Sequence, residues 1–198
     1  MLVFWKQNLV FLSVPKTGTT AWQQALAPLA SMVILDPPEL KHAPLYRYNR
    51  FFRPMFDKTG GEGIETLAVV REPTSWLGSW YRYRRRPFMK ERANHTFDVS
   101  FDDFVQAHIA EKPPGFANVG SQFRFLEPRR NGLAVTHLFR YEQQPALIAF
   151  LQERLGTMPD LPRVNVSPEI DLALSPATKA ALRQARTEDF ALWEGAAR

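Results

Sequence analysis

The chain has no cysteine, which excludes disulfide staples, cysteine-ligated zinc and thiol catalysis by composition alone. It has no apolar run of membrane-spanning length either. The opening stretch MLVFWKQNLVFLSV is interrupted by Lys6-Gln7-Asn8, so it reads as two strands and a turn, not as a signal peptide. Histidines are few, and His42, His95, His108 and His137 are not spaced as metal ligands; no metal site is expected. Repeats and low-complexity tracts are absent as well. What remains, with 198 residues of which 45% are hydrophobic and 23% charged, reads as a single domain over 1–198, large enough to close an apolar core unaided. The missing cysteines are compatible with a reducing compartment, and a cytoplasmic location is expected.

Charge of one sign is in excess. Lys and Arg outnumber Asp and Glu by 25 to 20, a net +5, and the sequence pI is near 9.7. Such a balance favours an anionic partner: a nucleotide, a nucleic acid or an acidic glycan.

The stretch that organises the rest is Val10–Trp22, VFLSVPKTGTTAW. A β-branched apolar run ends at Pro15, and Lys16-Thr17-Gly18-Thr19-Thr20 then puts one cation, three hydroxyls and one glycine ahead of a helical pattern. That is the layout of an anion cradle between a strand and a helix. Glycine permits the turn, the free N–H groups of the helix start face the anion, and Lys16 supplies charge. An ordinary strand–turn–helix capped by threonine is the simpler alternative.

Farther along, the fourfold spacing of Ala21, Ala25 and Leu29 predicts a helix from about Thr19 to Pro28. Short strands are expected at Met32–Leu35, Thr66–Arg71 and Leu133–Tyr141, and helices over Tyr46–Phe56, from Pro73, from Ser100, over Val119–Leu126 and over Ala146–Leu155. His108 falls on the apolar stripe of one of these and reads as a packed residue. Ser175-Pro176 opens a terminal helix running to about Trp193. Strands alternating with helices indicate an α/β fold: a mainly parallel sheet flanked by helices in three layers, with the cradle at a strand's carboxyl end.

Two chemistries suit a phosphate cradle. A P-loop kinase or NTPase places its lysine after the last glycine, next to a Mg²⁺-holding Ser or Thr, and a strand ending in Asp serves the same metal. Here Lys16 precedes Gly18 and the candidate strand ends in Arg71, which favours a site meeting phosphate with guanidinium and hydroxyl groups.

On these residues the chain resembles the sulfotransferases that use 3′-phosphoadenosine 5′-phosphosulfate (PAPS). PKTGTT at Pro15–Thr20 looks like their 5′-phosphosulfate loop, and Arg71 with Ser79 eight residues later looks like their 3′-phosphate pair. The likeness continues through LFRYE, Leu138–Glu142, and through the C-terminal NVSP stretch. It implies a P-loop-NTPase-like sulfotransferase fold and metal-free, in-line transfer of a sulfuryl group from PAPS to a small-molecule or glycan hydroxyl. The implied donor-binding residues are Lys16, Thr17, Gly18, Thr19, Thr20, Arg71 and Ser79, with Lys16 also stabilising the leaving group. His42, in Lys41-His42-Ala43-Pro44, is the implied base, and Glu39 is its alternative.

The sequence departs from the cytosolic members in places. Ala21 separates Trp22 from the threonine pair, so Trp22 is either an adenine-stacking ring or core. No C-terminal R-K-G-x-x-G segment is present; Arg163, Asn165 and Ser167 either replace it at the 3′-phosphate or merely fix a turn. The basic run Arg82–Arg86 reads as a solvated helix face, the alternative being a surface for an acidic acceptor with Trp80, Tyr81 and Tyr83 as stacking rings. A Mg-ATP enzyme and a non-catalytic module for anions or nucleic acid remain the competing functions, although no nucleic-acid motif is present.

Overall fold

The computed structural model describes residues 1–129, 132–162 and 170–197. The amino-terminal hairpin forms as the apolar runs require: β1 (Leu2–Phe4) and β2 (Leu9–Phe11) are joined by a 3-10 turn over Trp5–Gln7 and by Asn8 in the left-handed region at φ 49°. Three further strands, β3 (Met32–Val33), β4 (Glu65–Val70) and β5 (His137–Arg140), complete a sheet of order β3-β1-β2-β4-β5. β1 runs antiparallel to both its neighbours, and β2, β4 and β5 are mutually parallel. The molecule is therefore mixed α/β with a mostly parallel sheet, four of the five strands pointing one way.

The period-two alternation of strand side chains sorts the core onto two faces. Val3, Val10, Ala68 and Val70 point to one side, where α3 (Leu45–Arg47), a π turn (Tyr48–Phe52), α4 (Arg53–Asp57), α7 (Gln122–Leu126) and α10 (Thr187–Gly195) supply Leu45, Tyr48, Phe56, Leu126 and Leu192. Phe4, Leu9, Phe11, Leu67 and Val69 point to the other, under α1 (Thr19–Leu26) and α8 (Gln144–Leu155). A third cluster packs α5 (Pro73–Arg84) on α6 (Phe101–Ile109) and α9 (Pro176–Ala185) through Trp76, Leu77, Phe104 and Leu182. A short α2 (Pro38–Lys41) precedes α3. Among the described residues no helix is long and apolar enough to cross a membrane.

The local signals act as their chemistry dictates. Ser100 and Ser175 cap α6 and α9 by accepting from Asp103 N and Thr178 N, and Gly156 closes α8 at φ 75°. Several boundaries move. β3 and β5 are shorter than the apolar runs that predicted them, and the terminal helix is two helices that meet at Arg186.

The arrangement matters for the site. The chain leaves β2 for β3 on one side, and leaves β4 for β5 on the other. Adjacent parallel strands whose connections diverge open a crevice at their carboxyl ends.

Candidate functional site

At the end of β2 the chain stays fully buried through Leu12 and Val14, with Leu12 N donating to Leu67 O at 2.8 Å, and it turns only after Pro15. Thr17 Oγ1 donates to Val14 O at 2.9 Å and closes the loop. Lys16 (φ 68°) and Gly18 (φ 76°) both adopt the left-handed conformation. Glycine does so freely, whereas for lysine it costs about 1 kcal/mol. The loop then enters α1, where Ala21 N and Trp22 N already donate to Gly18 O; the N–H groups that precede them, at the helix start, are the ones such a turn offers to an anion. Thr19 is buried and Thr20 half-buried, while the Thr17 hydroxyl serves the loop itself. A Cβ at position 18 would lie 3.2 Å from Tyr141 Cε2, close enough that the ring would have to yield slightly, while the positive φ is what favours glycine here.

Arg71 follows β4 directly and stands across the crevice. Its Nε donates to Ser75 Oγ at 2.9 Å, its Nη1 reaches Lys16 O at 3.5 Å, and its guanidinium lies 4.5 Å from the Tyr141 ring centroid. The backbone is clamped twice by Gln122, which accepts from Arg71 N at 2.9 Å and donates to Arg71 O at 2.7 Å. Trp76 Nε1 ties α5 to the loop through Pro15 O at 2.9 Å. Ser79, two turns into α5, is buried. The serine actually bonded to Arg71 is Ser75, which the spacing argument passed over.

Lys16 is where the electrostatics concentrate. Burial pushes its pKa down to about 7, and the charges of Arg86, Arg71 and Arg82 push the same way. Its ammonium sits 4.2 Å from the Tyr83 ring centroid and 5.3 Å from that of Trp80, contacts that favour the charged form by about 0.5–2 kcal/mol. Trp80 Nε1 is itself buried without a hydrogen-bond partner among the described residues.

The basic run is therefore not a uniformly solvated face. Arg84 is buried and donates to Gly115 O at 2.7 Å, and Arg85 donates to Phe97 O at 2.9 Å. Arg82 and Arg86 instead add to the field at Lys16. Arg82 stands in the last turn of α5 and Arg86 beyond its end in extended conformation, so the two reach Lys16 from different local structures.

The structure also brings His42 to the cradle. Its Nδ1 pairs with Ser13 O at 2.7 Å; since a carbonyl only accepts, Nδ1 carries the proton and Nε2 keeps its lone pair. Burial depresses the His42 pKa, partly opposed by the Ser13 hydrogen bond, with Lys41 and Lys16 among the further lowering charges. The ring is thus neutral at pH 7 and able to accept a proton. Glu39, on α2, is exposed.

Family models, curated proteins and solved structures give no match to this chain. The site is therefore read from its own chemistry. Trp22 is 2% exposed and packs 6.1 Å from Phe11; it belongs to the core, not to a base-stacking position. His108 is a packed residue, bonding Ala117 O at 3.0 Å through Nδ1. Arg163, Asn165 and Ser167 lie outside the described residues. Among the described residues, no three His, Asp or Glu side chains gather as a metal site would need. Ser75, Arg82, Arg86 and Tyr141 join the site only through tertiary contact.

Proposed function

We propose that this chain is a PAPS-dependent sulfotransferase of P-loop-like fold, moving a sulfuryl group to a carbohydrate or small-alcohol hydroxyl. The observation that carries the reading is the convergence of Lys16, Arg71, Arg82 and Arg86 at the carboxyl ends of β2 and β4. The neighbouring carboxylates are already engaged: Glu72 caps α5 by accepting from Ser75 N at 2.7 Å. Glu142 accepts from Glu72 N at 2.9 Å and from Trp193 Nε1 at 3.0 Å. A crevice built in this way suits a ligand with two separated anionic groups, and the donor set fits PAPS.

PAPS supplies an activated sulfuryl group, and the chain supplies grip, charge and a base. Lys16 and the N–H groups opening α1 hold the 5′ side and stabilise the charge that builds on the departing phosphate. Arg71, oriented by Ser75 and Tyr141, faces the 3′-phosphate with Ser79. His42 Nε2 takes the acceptor hydroxyl proton as the new S–O bond forms and the sulfur–phosphate oxygen bond breaks, giving a sulfate ester and 3′,5′-ADP.

Calorimetric comparison of 3′,5′-ADP with 5′-AMP tests the assignment. Arg71→Ala is expected to weaken 3′,5′-ADP binding by about 1.5–3 kcal/mol, roughly 10- to 150-fold, and to leave 5′-AMP nearly unaffected. Equal loss for both ligands, or none, would show that Arg71 does not read the 3′-phosphate.

A further inference from the structure

A second basic concavity lies away from Lys16. Tyr46, Asn49, Arg50 and Arg53 line one wall of a cavity of about 640 Å³, and Glu127, Pro128, Arg129 and Gly132 line the other. Tyr46 stands on α3, Asn49 and Arg50 on the π turn and Arg53 at the start of α4. Three guanidinium groups face one carboxylate, Glu127, whose nearest contact to Arg129 is 3.8 Å. That pair is half-exposed and weak, so the cavity keeps a net positive charge.

The walls are held by contacts independent of any ligand. Asn49 Nδ2 donates to Leu133 O at 2.9 Å, joining the helix to the segment before β5. The Arg129 guanidinium lies 4.1 Å from the Tyr46 ring centroid, and Arg53 is 5.4 Å from that of Tyr48. A Cβ on Gly132 would come within 2.2 Å of Pro128 O, so the wall is tightly folded at this point. The volume falls within the range of small-molecule sites.

Position connects this cavity to the cradle. The helical segment bearing Arg50 and Arg53 starts at Leu45, three residues after His42. The other wall continues from α7, whose Gln122 clamps Arg71. Both walls are thus continuous in the chain with elements that carry site residues, His42 before one and Gln122 before the other.

We infer that the Arg50–Arg53–Arg129 cavity is an acceptor subsite for a saccharide bearing a carboxylate or sulfate group. Its role as an acceptor site rests on the sulfuryl-transfer reading of the cradle. Guanidinium groups pair with such anions in two-point hydrogen bonds, and Tyr46 and Pro128 supply the apolar flank that a sugar ring covers.

The test is calorimetry with a uronic-acid-containing disaccharide, its neutral counterpart, an acidic hexapeptide and inorganic sulfate, with 3′,5′-ADP titrated separately. The acidic disaccharide should bind at least tenfold more tightly than each of the others. Arg50→Ala should weaken that preference severalfold while leaving 3′,5′-ADP affinity and the melting temperature unchanged, and Arg50→Ala/Arg53→Ala should abolish it in a variant that still unfolds cooperatively and binds 3′,5′-ADP; Arg129→Ala alone should weaken it severalfold. Equal binding of neutral and acidic sugars, preference for the peptide or for sulfate alone, or full retention in the variants would overturn the assignment. Saccharide binding without any 3′,5′-ADP binding would overturn the acceptor role and, separately, the donor reading.

Discussion

Lys16 combines two opposed demands. Its backbone is held at φ 68°, and burial, with the surrounding arginines adding to it, lowers its pKa to about 7. The cost is borne by the empty protein and relieved by an arriving anion, which favours the protonated form. Binding should therefore draw in protons: at pH 8 the free protein is largely neutral at Lys16, whereas the complex is charged. Calorimetry of 3′,5′-ADP in two buffers of different ionisation enthalpy should give an uptake approaching one proton at pH 8 and little at pH 6. No uptake at pH 8 would mean that Lys16 does not meet the ligand. His42 belongs to the same scale, because its Ser13 hydrogen bond fixes the tautomer that leaves Nε2 basic. His42→Ala should lower turnover about 10²- to 10⁴-fold with 3′,5′-ADP affinity preserved; intact turnover would shift the base assignment to Glu39.

Elements transmit this geometry through a few buried polar contacts. Asp189, buried on α10, accepts from Ser121 Oγ at 2.8 Å and from Phe123 N at 3.0 Å, which seats α7 and so places Gln122 against Arg71. Asp189→Ala should cost about 2–4 kcal/mol of stability through the donors left unpaired. At a temperature where the variant remains folded it should also weaken 3′,5′-ADP binding. Chemical denaturation and calorimetry read the two effects; unchanged stability would contradict the coupling. No such contact is visible in a one-dimensional pattern. The capping serines at 100 and 175, the proline opening α5 and the glycine after α8 act within four residues of themselves, and they were legible in the sequence. The break at Arg186 was not: its guanidinium donates to His108 O at 2.7 Å, a partner that is remote in the chain. Arg84 and Arg85 were misread for the same reason, since their carbonyl partners lie well beyond α5.

At the scale of the molecule the cradle was legible because loop, glycine and lysine are contiguous. Arg71 could be found because it ends an apolar strand, which parallel packing against β2 brings alongside the loop. Ser75, Arg82 and Tyr141 required the fold, and so did the second cavity, whose walls come from residues some eighty positions apart. Taken together, the crevice between β2 and β4 concentrates cations where α1 begins, and Gly18, Arg71 and Tyr141 close around that point from three different strands' ends. An excess of five positive charges adds long-range attraction to any polyanion, a contribution that weakens as salt rises. Charge alone therefore does not identify the ligand, and position of the phosphates does. The most direct measurement is calorimetry of the intact chain with 3′,5′-ADP, ADP and ATP, each with and without Mg²⁺ at physiological salt. The account predicts that 3′,5′-ADP binds most tightly and equally well in both conditions; a preference for Mg-ATP, or no discrimination among the three, would contradict it.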